Sequence, residues 1–394
     1  MNIFNSLGSN YDFKFVLKAL LSFSGNSKDL ENLLGEKYGG KAILLYKGRE
    51  AIELALKSLN LPAGTFVAIN GFTCFAMYDA IKKSGLNVEY LDIEKGELNF
   101  SAETFKKALD KNPKIKVVII QNTLGFPCDI KGISKICKEK GIILIEDLAH
   151  SIGAKYEGEK EAGTLGDMTI LSFSQDKMID GISGGALVDK GRKMLQEKLY
   201  NLPLKQQIID SLYPSLTFRI RLTYPFLIGK VLHEILKRLN LLSKPMTGAE
   251  TGKLHKLPGW YSNLIMGQFD KLNSDLSHRR KIASIYAETL NPNILSKRII
   301  KQIADASNLR FPIFVNNRGD LIKYLAQNGI YVSDIWYDAP ISPKKYLSQS
   351  DYNHQCPNSE LASSAILNLP THKNVAGKDA VKISNIINQW LSQQ

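Results

Sequence analysis

Asp147 closes the apolar run Ile143-Leu144-Ile145-Glu146-Asp147, and Lys177 closes the run Ile170-Leu171-Ser172-Phe173-Ser174-Gln175-Asp176-Lys177 thirty residues further on. An apolar strand that ends in a carboxylate, followed by a second strand that delivers one lysine, is what pyridoxal phosphate (PLP) chemistry needs. The amine forms a Schiff base with the cofactor's aldehyde, and the carboxylate keeps the pyridine nitrogen protonated so that the ring accepts electrons. Each half also has a plainer explanation. One lysine among 51 Lys and Arg is ordinarily a solvated surface group, and an Asp after a strand ordinarily caps a helix. The elements around the pair decide between these readings.

Those elements alternate. Residues 26–60 read as two helices around Tyr38-Gly39-Gly40, with the strand Ala42-Ile43-Leu44-Leu45-Tyr46 between them. That strand runs into Lys47-Gly48-Arg49-Glu50-Ala51, and a strand, a glycine and an abrupt helix start present backbone N–H groups to an anion. A lone glycine there is also compatible with a plain strand-to-helix turn. Strands follow at Phe66-Val67-Ala68-Ile69, Val88 to Asp92, Val117 to Ile120 and Ile142 to Ile145, separated by helices near 73–84, 101–110 and 130–140. Nearly continuous apolar strands between amphipathic helices imply an α/β fold with a mostly parallel sheet covered on both faces. Ligands of such sheets bind at the carboxyl ends of strands. Gly48, the segment after Ile69, Gln121-Asn122, Asp147 and the loop carrying Lys177 all fall at such ends, so they converge on one place.

With 394 residues, a large domain plus a smaller one is expected. We place the large domain at 1–257 and a compact C-terminal α+β domain at 258–394. In the latter we read a long helix over about 260–290 that stops at Asn291-Pro292, a strand Leu309 to Val315, a helix over 318–328, Gly329 to Val332 and a final helix over 376–392. The net charge of +13 suits nucleic acid, an anionic membrane surface or anionic substrates. No zinc-finger spacing, aromatic RNA-binding motif or basic heptad arm is present, so no nucleic-acid partner is expected. The cysteines Cys74, Cys128, Cys137 and Cys356 have no CxxC spacing, and the six histidines form no HxxxH or HExxH cluster. A metal is therefore not expected, and the cytoplasm is the simplest compartment. No run reaches the roughly 18 apolar residues of a membrane span.

One stretch breaks the alternation. Residues 205–245 hold seven Lys or Arg against the two acids Asp210 and Glu234, and are rich in Leu, Ile, Phe and Tyr. The piece from Phe226 to Leu242 has helical periodicity with Lys230, Lys237 and Arg238 interleaved. Such a helix can lie on an anionic membrane, or can pack on the protein or a partner subunit.

The motif order resembles the DegT/DnrJ/EryC1/StrS sugar aminotransferases, PLP enzymes of the aspartate aminotransferase fold. The matching pieces are Gly48-Arg49-Glu50-Ala51, Gly71-Phe72-Thr73-Cys74, Gly125-Phe126-Pro127 and Glu146-Asp147-Leu148-Ala149-His150-Ser151-Ile152-Gly153-Ala154. They continue with Gly163-Thr164-Leu165-Gly166-Asp167, Ser172-Phe173-Ser174 with Lys177, and Ser183-Gly184-Gly185-Ala186. In the C-terminal part, Gln268 to Leu272, Arg279 to Ala283 and Leu367-Asn368-Leu369-Pro370 also fit, so the likeness runs from about residue 28 to 392 outside the inserted stretch.

The resemblance implies a seven-stranded-type sheet of PLP fold type I and a homodimer. It implies that Lys177 carries the cofactor and, once freed, acts as the base that moves a proton, while Asp147 pairs with the pyridinium nitrogen. It places His150 near the ring hydroxyl, although a buried histidine bonded to backbone is an equal reading of that residue. The backbone at Gly48 and Arg49, with the Ser172 hydroxyl, would hold the phosphate, and the Arg49 side chain either neutralises it or points to solvent. Cys74 stands where many relatives stack an aromatic ring on the cofactor, so stacking passes to Phe72 or Phe75 or is absent. The family's Gly-Tyr-Asn-Tyr-Arg-Met motif, by which a partner subunit reaches the site, is replaced by Lys253-Leu254-His255-Lys256-Leu257-Pro258-Gly259-Trp260. The retained Lys177 separates this chain from the relatives that carry His there and act as dehydratases.

The function implied is transfer of an amino group from glutamate or glutamine to a keto-sugar, nucleotide-linked, in polysaccharide or glycan synthesis. Two alternatives are a PLP enzyme of other outcome, such as an amino-acid lyase or transferase, and a non-catalytic membrane-docking scaffold of the same fold.

Overall fold

The computed structural model describes residues 2–22, 24–158, 160–191, 197–244, 252–333 and 336–394. The alternating apolar runs form a seven-stranded sheet. In chain order its strands are β1 (Lys41–Leu45), β2 (Phe66–Asn70), β3 (Asn87–Leu91), β4 (Ile115–Ile120), β5 (Ile143–Asp147), β6 (Met168–Ser172) and β7 (Gly185–Asp189). Their spatial order is β1-β7-β6-β5-β4-β2-β3. Strand β7 runs antiparallel to β6 and β1, and the other pairings are parallel.

Side chains alternate across the sheet, which explains why these strands are apolar at nearly every position. Leu44, Val118, Leu144, Leu171 and Val188 join one core with α2 (Ser27–Tyr38), α5 (Ala102–Lys111) and α6 (Ile130–Lys140). Their neighbours Leu45, Val117, Ile145, Ile170 and Leu187 join the other, with α3 (Gly48–Ser58) and α4 (Phe75–Lys83). At β5 the alternation meets a buried carboxylate. Glu146 accepts the amides of Gly163, Leu165 and Gly166 at 2.7, 2.7 and 2.5 Å and the Tyr156 hydroxyl at 2.9 Å. The turn it clamps requires glycine at 163, where φ is +94° and a Cβ would lie 2.6 Å from Leu148 Cδ1.

The helix expected over 260–290 is two helices, α9 (Gly259–Phe269) and α10 (Leu272–Thr289). Trp260, Tyr261, Leu264 and Ile265 of α9 pack in the core of the large sheet, whereas Ile282, Ala283 and Tyr286 of α10 pack in the C-terminal core. Leu272 and Leu276, in the first turns of α10, still pack in the core of the large sheet, so the hand-over between the two cores falls inside α10, beyond the turn at Asp270-Lys271. The C-terminal core is built on the antiparallel pair β8 (Arg310–Phe314) and β9 (Ile366–Pro370), with α11 (Arg318–Gln327) and α12 (Gly377–Leu391). Ile3–Phe4 pairs in parallel with Ile330–Tyr331, so the first residues of the chain pack there too.

The inserted stretch forms α7 (Leu204–Thr223) and α8 (Ile228–Arg238), joined by a turn at Tyr224–Phe226. The helix expected from Phe226 thus starts two residues later, after Leu227 at φ +62° reverses the chain. Residue 245, the expected end of the insertion, lies outside the described residues. The anchor of α7 is Asp210, fully buried, which accepts the hydroxyls of Tyr46 at 2.7 Å and Tyr261 at 2.6 Å. A helix α1 (Phe13–Leu21) packs beside α7, with Tyr11 meeting Tyr213 edge to face.

Candidate active site

The lysine stands on a tied loop. Beyond β6, the Phe173 amide donates to the Gly184 carbonyl at 2.8 Å, and the Gly181 amide donates to the Phe173 carbonyl at 2.8 Å. Inside the loop, Asp180 accepts the amides of Asp176 at 2.8 Å and Ile182 at 3.0 Å, and the Tyr11 hydroxyl at 2.8 Å. Lys177 therefore projects from a fixed backbone into a cavity of about 300 Å³. Burial lowers the pKa of its ammonium, against the opposing pull of Cys74 and Asp147.

The pairing Ile170↔Asp147 puts the Asp147 carboxylate at the carboxyl edge of the sheet, on the same cavity. Its Oδ1 accepts the Ala149 amide at 2.9 Å. Burial pushes the carboxyl up to about 6, while the Ala149 amide and Lys177 pull it back.

At the other side of the cavity, Leu45, Gly185 and Ser172 lie in one row across β1, β7 and β6. That register drives the start of α3 against β6: a Cβ on Gly48 would sit 2.8 Å from Ser172 Cβ, and a Cβ on Gly185 would sit 2.5 Å from the Gly48 nitrogen. Glycine is needed at both points so that the helix N-terminus can approach the Ser172 hydroxyl. Lys47, Gly48, Arg49 and Ser172 line the cavity here. No side chain caps α3 at Lys47. The Lys47 ammonium is buried, 4.5 Å from the Tyr46 ring centre and 3.5 Å from the Lys244 carbonyl, and burial pushes its pKa down to about 8.

His150 is bonded to backbone, and its ring also faces the cavity. Its Nδ1 accepts the Leu124 amide at 3.2 Å, with the Tyr337 hydroxyl 3.3 Å away, while the ring lines the cavity and stacks on Trp336 at 5.3 Å and 20°. Burial first, then Lys177 and Arg310, lowers its pKa well below the usual histidine range. The ring is neutral, and because Nδ1 accepts, the proton is assigned to Nε2.

Cys74 lines the cavity as expected. Stacking does not pass to its neighbours: Phe72 is fully buried against Tyr337, and Phe75 stacks on Tyr346. The aromatic rings at the cavity are His150, Trp336 and Tyr337, the last two not anticipated from sequence. Lys177 Nζ lies 4.6 Å from the Trp336 ring centre, and the buried Arg310 guanidinium lies 3.9 Å from it. A tryptophan among irregular residues, more than 150 positions after the lysine, offers no local pattern that would have found it.

These residues fit PLP. Lys177 and Lys47 are buried cations without a salt bridge to any described carboxylate, Asp147 is a buried carboxylate whose charge lacks a cation in hydrogen-bond contact, and the Gly48–Ser172 approach forms a cradle that a Cβ would fill. The amine would take the aldehyde, Asp147 the ring nitrogen, and the start of α3 with Ser172 and the cations the phosphate.

Fold and site together define a PLP-dependent enzyme built like an aminotransferase. The chain belongs to the DegT/DnrJ/EryC1/StrS aminotransferase family, whose pattern matches residues 18–209 and 230–388. It is similar to GDP-perosamine synthase of Escherichia coli O157:H7, 22% identical with 90% of this chain and 86% of that protein covered. It is also similar to a Campylobacter jejuni transaminase, UDP-4-amino-4,6-dideoxy-N-acetyl-beta-L-altrosamine transaminase, 26% identical over 89% of this chain and 86% of that protein. Among solved structures, the putative sugar aminotransferase Spr1654 of Streptococcus pneumoniae in its PLP form superposes with a TM-score of 0.72 at 19% identity, covering 100% of this chain and 99% of that one.

Proposed function

We propose that this enzyme transfers an amino group from glutamate or glutamine to a keto-sugar carried on a nucleotide, for polysaccharide or glycan synthesis. The observation that carries the reading is the Lys177 amine, buried without a salt bridge to any described carboxylate in a cavity that also holds Asp147 and the start of α3. PLP, when bound, supplies an aldehyde that condenses with amines and a ring that accepts the electron pair left on the adjacent carbon. Lys177 would hold it through its amine and, once freed by the donor amine, would be the base that moves the proton. Asp147 keeps the ring nitrogen protonated. His150, with Nδ1 taken by the Leu124 amide, would offer Nε2–H to the ring hydroxyl. The cations Lys47, Arg49, Lys177 and Arg310 give the site a positive balance that suits a phosphate and a nucleotide diphosphate. Nucleotide-linked sugars are named for the relatives from Escherichia coli and Campylobacter jejuni, which supports the same substrate class here. We infer a homodimer working in the cytoplasm. Among the described residues no helix is long and apolar enough to cross a membrane.

The test is spectroscopic. The purified protein should show the visible band of lysine-bound PLP, fixed by borohydride and absent in Lys177→Ala. Glutamate should bleach that band, and a nucleotide-linked keto-sugar should restore it with formation of the amino-sugar. A band that glutamate and glutamine leave unchanged would refute the transaminase reading, and no band at all after PLP addition would refute the whole assignment.

A further inference from the structure

We propose that the helical pair α7–α8, with α1 beside it, docks this protein on the surface of an anionic lipid bilayer. The inference is independent of the reaction the site performs.

Three observations carry it. Along α8, Ile228, Val231, Ile235 and Leu239 recur at helical spacing and are all exposed, while the adjoining side, Gly229 and Leu236, is buried against the protein. Along α7, Leu204, Ile208 and Leu212 form a second exposed stripe, spaced by four and therefore on one face. Between the helices, Leu222, Phe226, Leu227 and Ile228 are 66%, 73%, 62% and 62% exposed, which gives the hairpin a hydrophobic tip. Neighbouring α1 adds Phe13, Leu17 and Leu21. Exposed aliphatic side chains gathered on three neighbouring helices mate with something apolar.

Charge decides what that is. Lys205 and Arg219 border the α7 stripe and Arg238 borders the α8 stripe, while Lys230 and Lys237 stand on the far side of α8 from Ile228, Val231 and Ile235, all five exposed. The acid among them is Glu234, which Arg238 already engages at 2.9 Å. A bilayer with anionic headgroups receives aliphatic side chains below the cations and neutralises the cations at its surface. The family pattern skips residues 210–229, the second half of α7 and the tip, so this surface is an addition to the common catalytic frame.

Flotation of the full-length, PLP-loaded protein with phosphatidylcholine vesicles, with and without phosphatidylglycerol, tests the proposal. The protein should float with phosphatidylglycerol-containing vesicles at low salt, be released by high salt, and stay behind with phosphatidylcholine alone. The pairs Phe226→Ser/Val231→Ser and Lys205→Glu/Arg219→Glu should each lower the floated fraction by about tenfold or more, with thermal midpoint and molar mass by light scattering unchanged. Failure of the wild type to float on anionic vesicles, or equal flotation on neutral ones, would overturn the proposal. So would variants that fall to a smaller oligomer, since the face would then be a subunit interface. The Lys177-dependent absorption band reports separately on the catalytic reading.

Discussion

Asn at position 147 should stabilise the cofactor-free protein while weakening the loaded one. The Asp147 carboxyl is fully buried and titrates at about 6 in place of 3.8. Below pH 3.8 it is neutral both folded and unfolded, and burial costs nothing. As pH rises the unfolded chain ionises first, so the cost of charging the buried group grows until the folded carboxyl titrates, and it is complete above pH 6. The gap between the two values corresponds to about 3 kcal/mol at pH 8 and roughly half of that at pH 5. Asp147→Asn removes the charge and keeps an oxygen for the Ala149 amide, so it should raise the unfolding free energy by up to about 3 kcal/mol at pH 8 and by clearly less at pH 5. Urea unfolding of cofactor-free wild type and variant at the two pH values measures this. Adding PLP should reverse the order, because the protonated ring nitrogen gives wild type a counterion that Asn cannot use. A variant no more stable than wild type at pH 8, or a gain independent of pH, would refute the account of Asp147 as a charge held at a cost until the cofactor arrives.

Two further outcomes follow from neighbouring residues. Lys47→Met should weaken PLP binding by about tenfold and leave the binding of pyridoxal, which has no phosphate, unchanged; absorbance titrations of both ligands check it, and equal losses would mean that Lys47 acts through the fold. Glu146→Ala strands three amides and the Tyr156 hydroxyl and should cost roughly 3–5 kcal/mol of stability in urea unfolding.

What was legible in the sequence was whatever repeats with the period of its element. The strand ends carrying Gly48, Asp147, Ser172 and Lys177 could be read because apolar runs of a doubly covered sheet are continuous and stop at its edge. The turn at Asp270-Lys271 was hidden, since no proline marks the break and the nearest glycine, Gly267, lies inside α9. Phe72 and Phe75 looked like stacking candidates from proximity to Cys74, yet each found a tyrosine elsewhere, Tyr337 and Tyr346. Trp336 was invisible for the complementary reason. It reaches the cavity through tertiary packing of the C-terminal half, and nothing in its neighbourhood has a period.

That distant contribution explains the state of His150. Thr73 is hydrogen-bonded to Gln121, Gln121 Nε2 donates to the Tyr337 hydroxyl at 2.8 Å, and that hydroxyl lies 3.3 Å from His150 Nδ1. The chain of contacts therefore joins the segment after β2, the carboxyl end of β4, the loop after β5 and the C-terminal half. Buried polar groups satisfied in series hold one arrangement, so the cavity is shaped only when the C-terminal half is docked. The same docking brings Arg310 near a site that already holds Lys177, and both push His150 toward its neutral form. A charged imidazole would add another buried cation there. Kept neutral, with Nδ1 committed to the Leu124 amide, His150 has Nε2–H left to donate, and the positive charge at the cavity remains on the lysines and arginines.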